Sequence, residues 1–189
     1  NRAFRERLYG IFTDWYVRVA SNALEAVGDN IDIVFMGDDL ASQQAPMFDP
    51  EIYRAIIKPH QRRILETVKG YGAPKVLYHS CGAVAPLIED LIEIGVDALN
   101  PVQVTAKGME PAGLKEAFGE RIAFWGGIST QKALPFGTPD EVRADVRYII
   151  DCLGRDGGYV LNSVHNLQSD VPPENIIAMF DEARGYTSQ

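Results

Sequence analysis

The stretch KVLYHSCGAVAPLIEDLIEIG, Lys75 to Gly95, decides how the rest of the chain is read. KVLYH is a short apolar run of strand character. PLIEDLIEIG carries apolar residues at helical spacing and closes on a glycine. Between the two lies HSCG, His79 to Gly82, which puts a histidine and a cysteine two residues apart at the end of a strand. A buried strand gains little from such a pair, whereas a metal ion can use both members.

Working outward, the same strand–loop–helix unit recurs. IDIVFM (Ile31–Met36) is a strand-like run followed by the loop GDDLASQQAPMF. Asp49 then caps a helix with Pro50 at its first position, which is expected to bend at Pro59 and end near Gly70. DALNPVQ reads as a shorter strand with a helix around AGLKEAFG behind it, and IAFWGG as the next strand. Thr138 and Glu141 form a capping box around Pro139, opening a helix to about Leu153. GYVLN is the fifth strand and PPENIIAMFDEARG the closing helix. Ahead of all this, Leu8, Phe12, Trp15, Val19, Ala23 and Val27 recur at helical steps, and Gly28 can stop that helix. The chain has no initiator methionine and opens inside a helical pattern, so it is expected to be an interior piece of a longer protein.

Five strand–helix units in series predict an α/β fold with a parallel sheet. Regular alternation fits an open doubly wound sheet or a β/α barrel. A complete eight-stranded barrel needs about 250 residues, so the 189 residues here would hold its later part. No Pro/Gly/Ser linker divides the sequence, and residues 1–189 read as one domain.

Composition narrows the partners. The chain is 46% hydrophobic and 23% charged with a formal charge of −8, and no basic cluster follows a phosphate backbone. Nucleic acid is therefore not an expected partner. No apolar run approaches the roughly 20 residues of a membrane span, and no signal peptide pattern opens the sequence. The two cysteines, Cys81 and Cys152, make no disulfide framework, which points to the cytoplasm as compartment.

In parallel β/α folds the chemistry collects in the loops that follow the strands. Those loops hold Gly37–Asp39, His79–Gly82, Pro101–Gln103, Trp125–Gly127 and Asn162–Gln168, while the opposite loops carry turn residues. Alternation puts the His79 and Cys81 side chains on one face, where nitrogen with soft sulfur favours zinc. Taken alone, H-x-C is more often a buried cysteine beside a hydrogen-bonded histidine than a metal site. His165 is the candidate third ligand and reads equally as a hydrogen-bonding active-site histidine. Only a closed or strongly curved sheet could bring it to Cys81. Asp38 and Asp39, adjacent carboxylates on the working face, are better explained by a ligand or a proton than by a turn cap. Trp125 reads equally as packing or as a stacking surface. His60 is expected at the surface and Cys152 in the core.

The segments YHSCGAVAPLIEDLIEIGVDALNPVQ, FWGGISTQKALPFGTPDEVRADV and GGYVLNSVHNLQSDVPPENIIAMFDEA together resemble the carboxy-terminal half of the uroporphyrinogen decarboxylase superfamily. The resemblance covers Ile31 to Tyr186, and its most specific pieces are HSCG and the closing H-N-x-Q-x(2)-V-P-P-E-N-I. It implies a (β/α)8 TIM barrel, present here as about five βα units. Two branches of the superfamily differ in chemistry. The decarboxylases need no metal and use an aspartate and arginines from an amino-terminal segment. The corrinoid- and coenzyme M-linked methyltransferases bind zinc through an H-x-C pair and a later cysteine.

His79 and Cys81 match the second branch. His165 stands where the methyltransferases have cysteine and the decarboxylases histidine, and Gln103 lies near an extra carboxylate ligand of some methyltransferases. The resemblance thus implies a zinc-dependent methyltransferase-like enzyme with zinc on His79, Cys81 and His165. Asp38, Asp39 and His165 would be catalytic, and Gln103, Trp125, Asn166 and Gln168 would contact a small-molecule substrate. A corrinoid carried by a partner protein and a second copy of the chain are the further partners expected. The alternatives are a metal-independent uroporphyrinogen decarboxylase, in which His165 binds a substrate carboxylate, and a non-catalytic binding module.

Overall fold

The computed structural model describes residues 2–72 and 74–186. The ends of the expected domain span, residue 1 and residues 187–189, lie outside the described residues, as does Ala73 in the Gly70–Pro74 loop. Helix α1 (Arg2–Val27) leads into strand β1 (Ile33–Gly37), then the short α2 (Pro50–Ile52) and α3 (Lys58–Lys69). Strand β2 (Lys75–His79) is followed by α4 (Ile88–Glu93), β3 (Ala98–Asn100) by α5 (Pro111–Phe118), and β4 (Ala123–Ile128) by α6 (Ala133–Phe136) and α7 (Pro139–Leu153). Strand β5 (Tyr159–Ser163) and α8 (Pro173–Gly185) complete the order.

All four strand pairings are parallel, and the sheet runs β1-β2-β3-β4-β5 without a reversal. That order separates the two architectures left open by the sequence. A doubly wound sheet reverses its strand order at a switch point; a barrel adds strands in one direction. Crossovers of one hand gather the helices on one face. Burial follows: Val76, Tyr78, Leu99 and Phe124, which neighbour one another in register, are all at 0% exposure. On the other face Phe35 is 62% exposed and Val160 41%. His79 and Asn100 are register partners on this second face.

Local structure follows the residues closely. Asp49 accepts from the Glu51 N–H at 2.8 Å, capping α2 as expected. Pro59 has no N–H to give the Ala55 carbonyl, and the chain widens into a π-helical turn over Tyr53–Ile57 immediately before it. Thr138 and Glu141 form both bonds of the capping box on α7. Asp90 on α4 is buried and receives Arg54 Nε at 3.0 Å and Lys58 Nζ at 2.7 Å, which ties α4 to the α2–α3 segment. Burial alone would raise the Asp90 carboxyl, but the hydrogen bonds from Arg54 and Lys58 outweigh it and hold it below the usual range.

Helix α1 does not pack through the larger part of its apolar stripe. Leu8, Phe12, Trp15 and Val19, the stripe that made the helix legible, are exposed. Thr13 and Leu24 are the buried positions instead. The Thr13 hydroxyl donates to Tyr9 O at 2.7 Å, so at 2.8 Å it can only accept the Nδ1 proton of His60. Tyr9 stacks on the same ring. His60 is therefore not a surface residue; it is half-buried on α3, where it packs against α1. Cys152 is half-buried against the core, as expected of an apolar helix row.

Candidate metal centre and substrate cavity

The end of β2 is held from both sides. On the β1 side, the Asp38 N–H donates to His79 O at 3.0 Å and the Leu40 N–H to Ser80 Oγ at 3.1 Å. On the β3 side, the Ser80 N–H donates to Asn100 O at 2.8 Å. Gly82 has φ +88°, and a Cβ there would lie 2.5 Å from the carbonyl oxygens of Ala41 and Ser42. Its N–H donates to Gln103 Oε1 at 2.7 Å. Glycine after the cysteine is thus required by a left-handed turn made against the neighbouring loop.

This stitching gathers three donors. Asp39 Oδ1 accepts the Cys81 N–H at 2.9 Å and lies 3.8 Å from His79 Nε2. Cys81 Sγ is 3.5 Å from the same nitrogen. One ligand atom each from Asp39, His79 and Cys81 falls within 4.8 Å of the others. Metal bonds of 2.0–2.3 Å in a tetrahedron separate donors by about 3.4–3.8 Å. The two separations from His79 Nε2, 3.8 and 3.5 Å, meet that window, and the donor types suit zinc, with one sulfur, one nitrogen and one oxygen. Burial first and the Asp39 charge second push the Cys81 thiol up, so the sulfur keeps its proton unless a cation replaces it.

The third donor differs from the sequence expectation. His165 is exposed, and its ring centroid is 6.3 Å from that of His79. It stands outside the donor group. The reason lies in the strand order: Asp39 follows β1, which pairs directly with β2, whereas His165 follows β5, with β3 and β4 intervening. Curvature still brings His165 into the same cavity.

That cavity, of about 770 Å³, is lined by Asp38, Asp39, His79, Asn100, His165 and Asn166 among others. A smaller neighbour of about 340 Å³ meets it at His165 and Asn166 and includes Cys81, Gln103, Gln131 and Gln168. Gln103 is buried, and its amide is engaged by Gly82 and, through Nε2, by Gln43 and Gln131. It lines the smaller cavity and at the same time holds the neighbouring loops together. Trp125 lines neither cavity, and its carbonyl accepts from Asn100 Nδ2 at 3.3 Å.

Asp38 and Asp39 part company. Asp38 neighbours a buried relay in which Tyr53 OH donates to Gln61 Oε1 and Gln61 Nε2 donates to Tyr78 OH, each at 2.7 Å. Withdrawal from water first, and the Asp39 charge second, raise its carboxyl against a lowering hydrogen bond from Gln61. Burial in turn pushes both tyrosines up.

Sequence reasoning missed Asn100. Its Oδ1 lies 2.6 Å from His79 Nδ1, and it is only 9% exposed. The available signal was a carboxamide at the end of an otherwise apolar strand, in register with the histidine.

A parallel sheet with sequential strand order and convergent side chains beyond its carboxy-terminal ends is the arrangement of a β/α barrel, five strands of which are present. The family model for uroporphyrinogen decarboxylase (URO-D) matches residues 1–186, and the chain belongs to that family. Uroporphyrinogen decarboxylases of Burkholderia mallei and Methylococcus capsulatus are each 25% identical to it, over 139 and 141 residues. Those matches take in 71% and 74% of this chain but 36% and 38% of the relatives. A methyltransferase from Methanosarcina mazei superimposes with a TM-score of 0.70 at 23% identity, over 91% of this chain and 46% of that one. The chain thus spans less than half the length of these proteins. Both the family and the structural neighbour identify the sheet as of the (β/α)8 type. No helix among the described residues is long and apolar enough to cross a membrane.

Proposed function

We propose that this chain carries the metal-binding part of a zinc-dependent, methyltransferase-like active site. The reaction moves a methyl group between a corrinoid, carried by a partner protein, and a thiol or similar acceptor. The observation that carries this reading is the Asp39–His79–Cys81 donor group at the mouth of the sheet. Zinc bound there would supply a Lewis acid that lowers the pKa of an acceptor thiol toward neutrality.

The chain's own residues do the rest. His79 presents a bare Nε2, and Cys81 and Asp39 supply negative charge that balances a divalent cation. The 770 Å³ cavity beside them admits the acceptor. His165, exposed at the rim, accepts the proton that the acceptor thiol releases. The acceptor sulfur then forms its bond to the methyl carbon while the methyl–carrier bond breaks, its electron pair remaining on the carrier. Asn166 and Gln168 offer amide groups for orientation at the smaller cavity.

A second reading is uroporphyrinogen decarboxylation without metal. It is favoured by the 25% identity to proteins of that name. In that case His165 binds a substrate carboxylate and Cys81 is dispensable. Elemental analysis of the purified protein and of Cys81→Ala separates the two. The methyltransferase reading expects close to one zinc per chain, lost in the variant. Zinc-free wild type that decarboxylates uroporphyrinogen in a full-length context would overturn it.

A further inference from the structure

We infer that Asn100 is the positioning residue of this site: its side-chain oxygen holds the His79 proton on Nδ1 and so presents Nε2, unprotonated, to Cys81 and Asp39. The consequence for metal rests on the zinc reading above, but the orientation itself does not. The amide is oriented by its surroundings. Asn100 Nδ2 donates to Trp125 O at 3.3 Å; with the amide reversed, an oxygen would face that carbonyl. Oδ1 is thereby left toward His79 Nδ1 at 2.6 Å, and an amide oxygen can only accept. The proton must sit on Nδ1.

At Nε2 the picture is complementary. A lone pair points toward a carboxylate oxygen at 3.8 Å and a sulfur at 3.5 Å. Three side-chain acceptors converge with the thiol proton as the side-chain proton between them, besides the Cys81 N–H that meets Asp39 Oδ1 from the backbone, an arrangement that a cation satisfies better than a proton does. Asn100 is suited to the task because the end of β3 is itself fixed. Its backbone oxygen takes the Ser80 N–H at 2.8 Å, so one residue orients both the strand end and the ring. A histidine that ligates through one nitrogen and donates through the other is the recurrent arrangement at metal sites.

The test uses the whole chain, metal-free, with ¹⁵N-labelled histidine, and reads the tautomer of His79 at a pH where its ring is neutral. Wild type is expected to carry the proton on Nδ1. Asn100→Leu should move His79 toward the Nε2–H form and weaken zinc binding about 10- to 100-fold. Asn100→Asp keeps the acceptor for Nδ1 but gives up the donor to Trp125 O, so it should restore the Nδ1–H form and only part of the affinity. A wild-type spectrum with the proton on Nε2 overturns the inference whether or not Asn100→Leu folds. So does an Asn100→Leu protein with wild-type zinc affinity. Wild-type protein that shows the Nδ1–H tautomer yet takes up no zinc supports the orientation and counts against the proposed function alone.

Discussion

The two sides of β2 and the outer side of β1 are built on opposite terms. Around β2 and β3 every strand end is tied: Ser80, His79, Gly82 and Asn100 each have a partner on a neighbouring loop or strand. Around β1 and α1, Phe35 is 62% exposed, Trp15 53% and Phe12 52%. Among the described residues, strand β1 has a paired neighbour on one side only. Hydrogen bonds that tie strand ends to neighbouring loops are concentrated where the donors converge, and apolar surface is left open on α1 and at Phe35, whose ring stands edge-on to His79 at 6.1 Å. Substitutions at the mouth should therefore be costly in stability or metal affinity, and substitutions on the open side should not.

The largest effect is expected at Gly126 on β4. It has φ +131°, and a Cβ would fall 1.8 Å from Pro101 O, so no side-chain rotation can relieve the clash. Gly126→Ala should cost more than about 4 kcal/mol or prevent folding, read as the urea midpoint of unfolding.

Next comes Asp90, whose replacement by Asn leaves the buried Lys58 with Glu93 as its remaining carboxylate partner. A loss of about 3 kcal/mol is expected. The pH dependence has a definite sign. The folded carboxyl lies below its ordinary value, so its contribution is complete above about pH 4 and disappears as pH falls through the folded value. In Asp90→Asn that part of the acid sensitivity should vanish from the stability–pH curve.

Zinc affinity should change by about tenfold per pH unit for each proton displaced. The Cys81 thiol is raised by burial and by Asp39, so affinity should keep rising with pH beyond neutrality and fall on acidification. Competition titration with a chromogenic chelator measures this directly. The smallest effect is expected on the open side: Phe12→Ser with Trp15→Ser should change unfolding free energy by no more than about 0.5 kcal/mol. Sedimentation of the same double variant should show weaker self-association, because the exposed aromatic surface of α1 favours contact with other chains. A large loss of stability there would erase the contrast between the two regions.

The contrast also marks what was legible in the sequence. Strand β2 runs from Lys75 to His79 and α7 ends at Leu153, as apolar pattern and capping residues indicate. These features are local, and their signals lie within a few residues. The packing face of α1 was not legible, because apolar spacing identifies a helix without saying which face has a neighbour. The choice of Asp39 over His165 depended on strand order, which no local signal carries. Sequence spacing also left Asp38 and Asp39 undivided, though only Asp39 belongs to the donor group. Asn100 was missed for the same reason that the place of Asp39 among the donors was: its role is defined by a residue on the adjacent strand, 21 positions away in sequence.

X-ray absorption at the zinc edge of the metal-loaded protein tests the donor group most directly. Asp39, His79 and Cys81 predict one sulfur at about 2.3 Å with the remaining nitrogen and oxygen ligands at about 2.0–2.2 Å. The sulfur shell should be lost in Cys81→Ala. A zinc environment without sulfur, or one unchanged by that substitution, would contradict the assignment of this site.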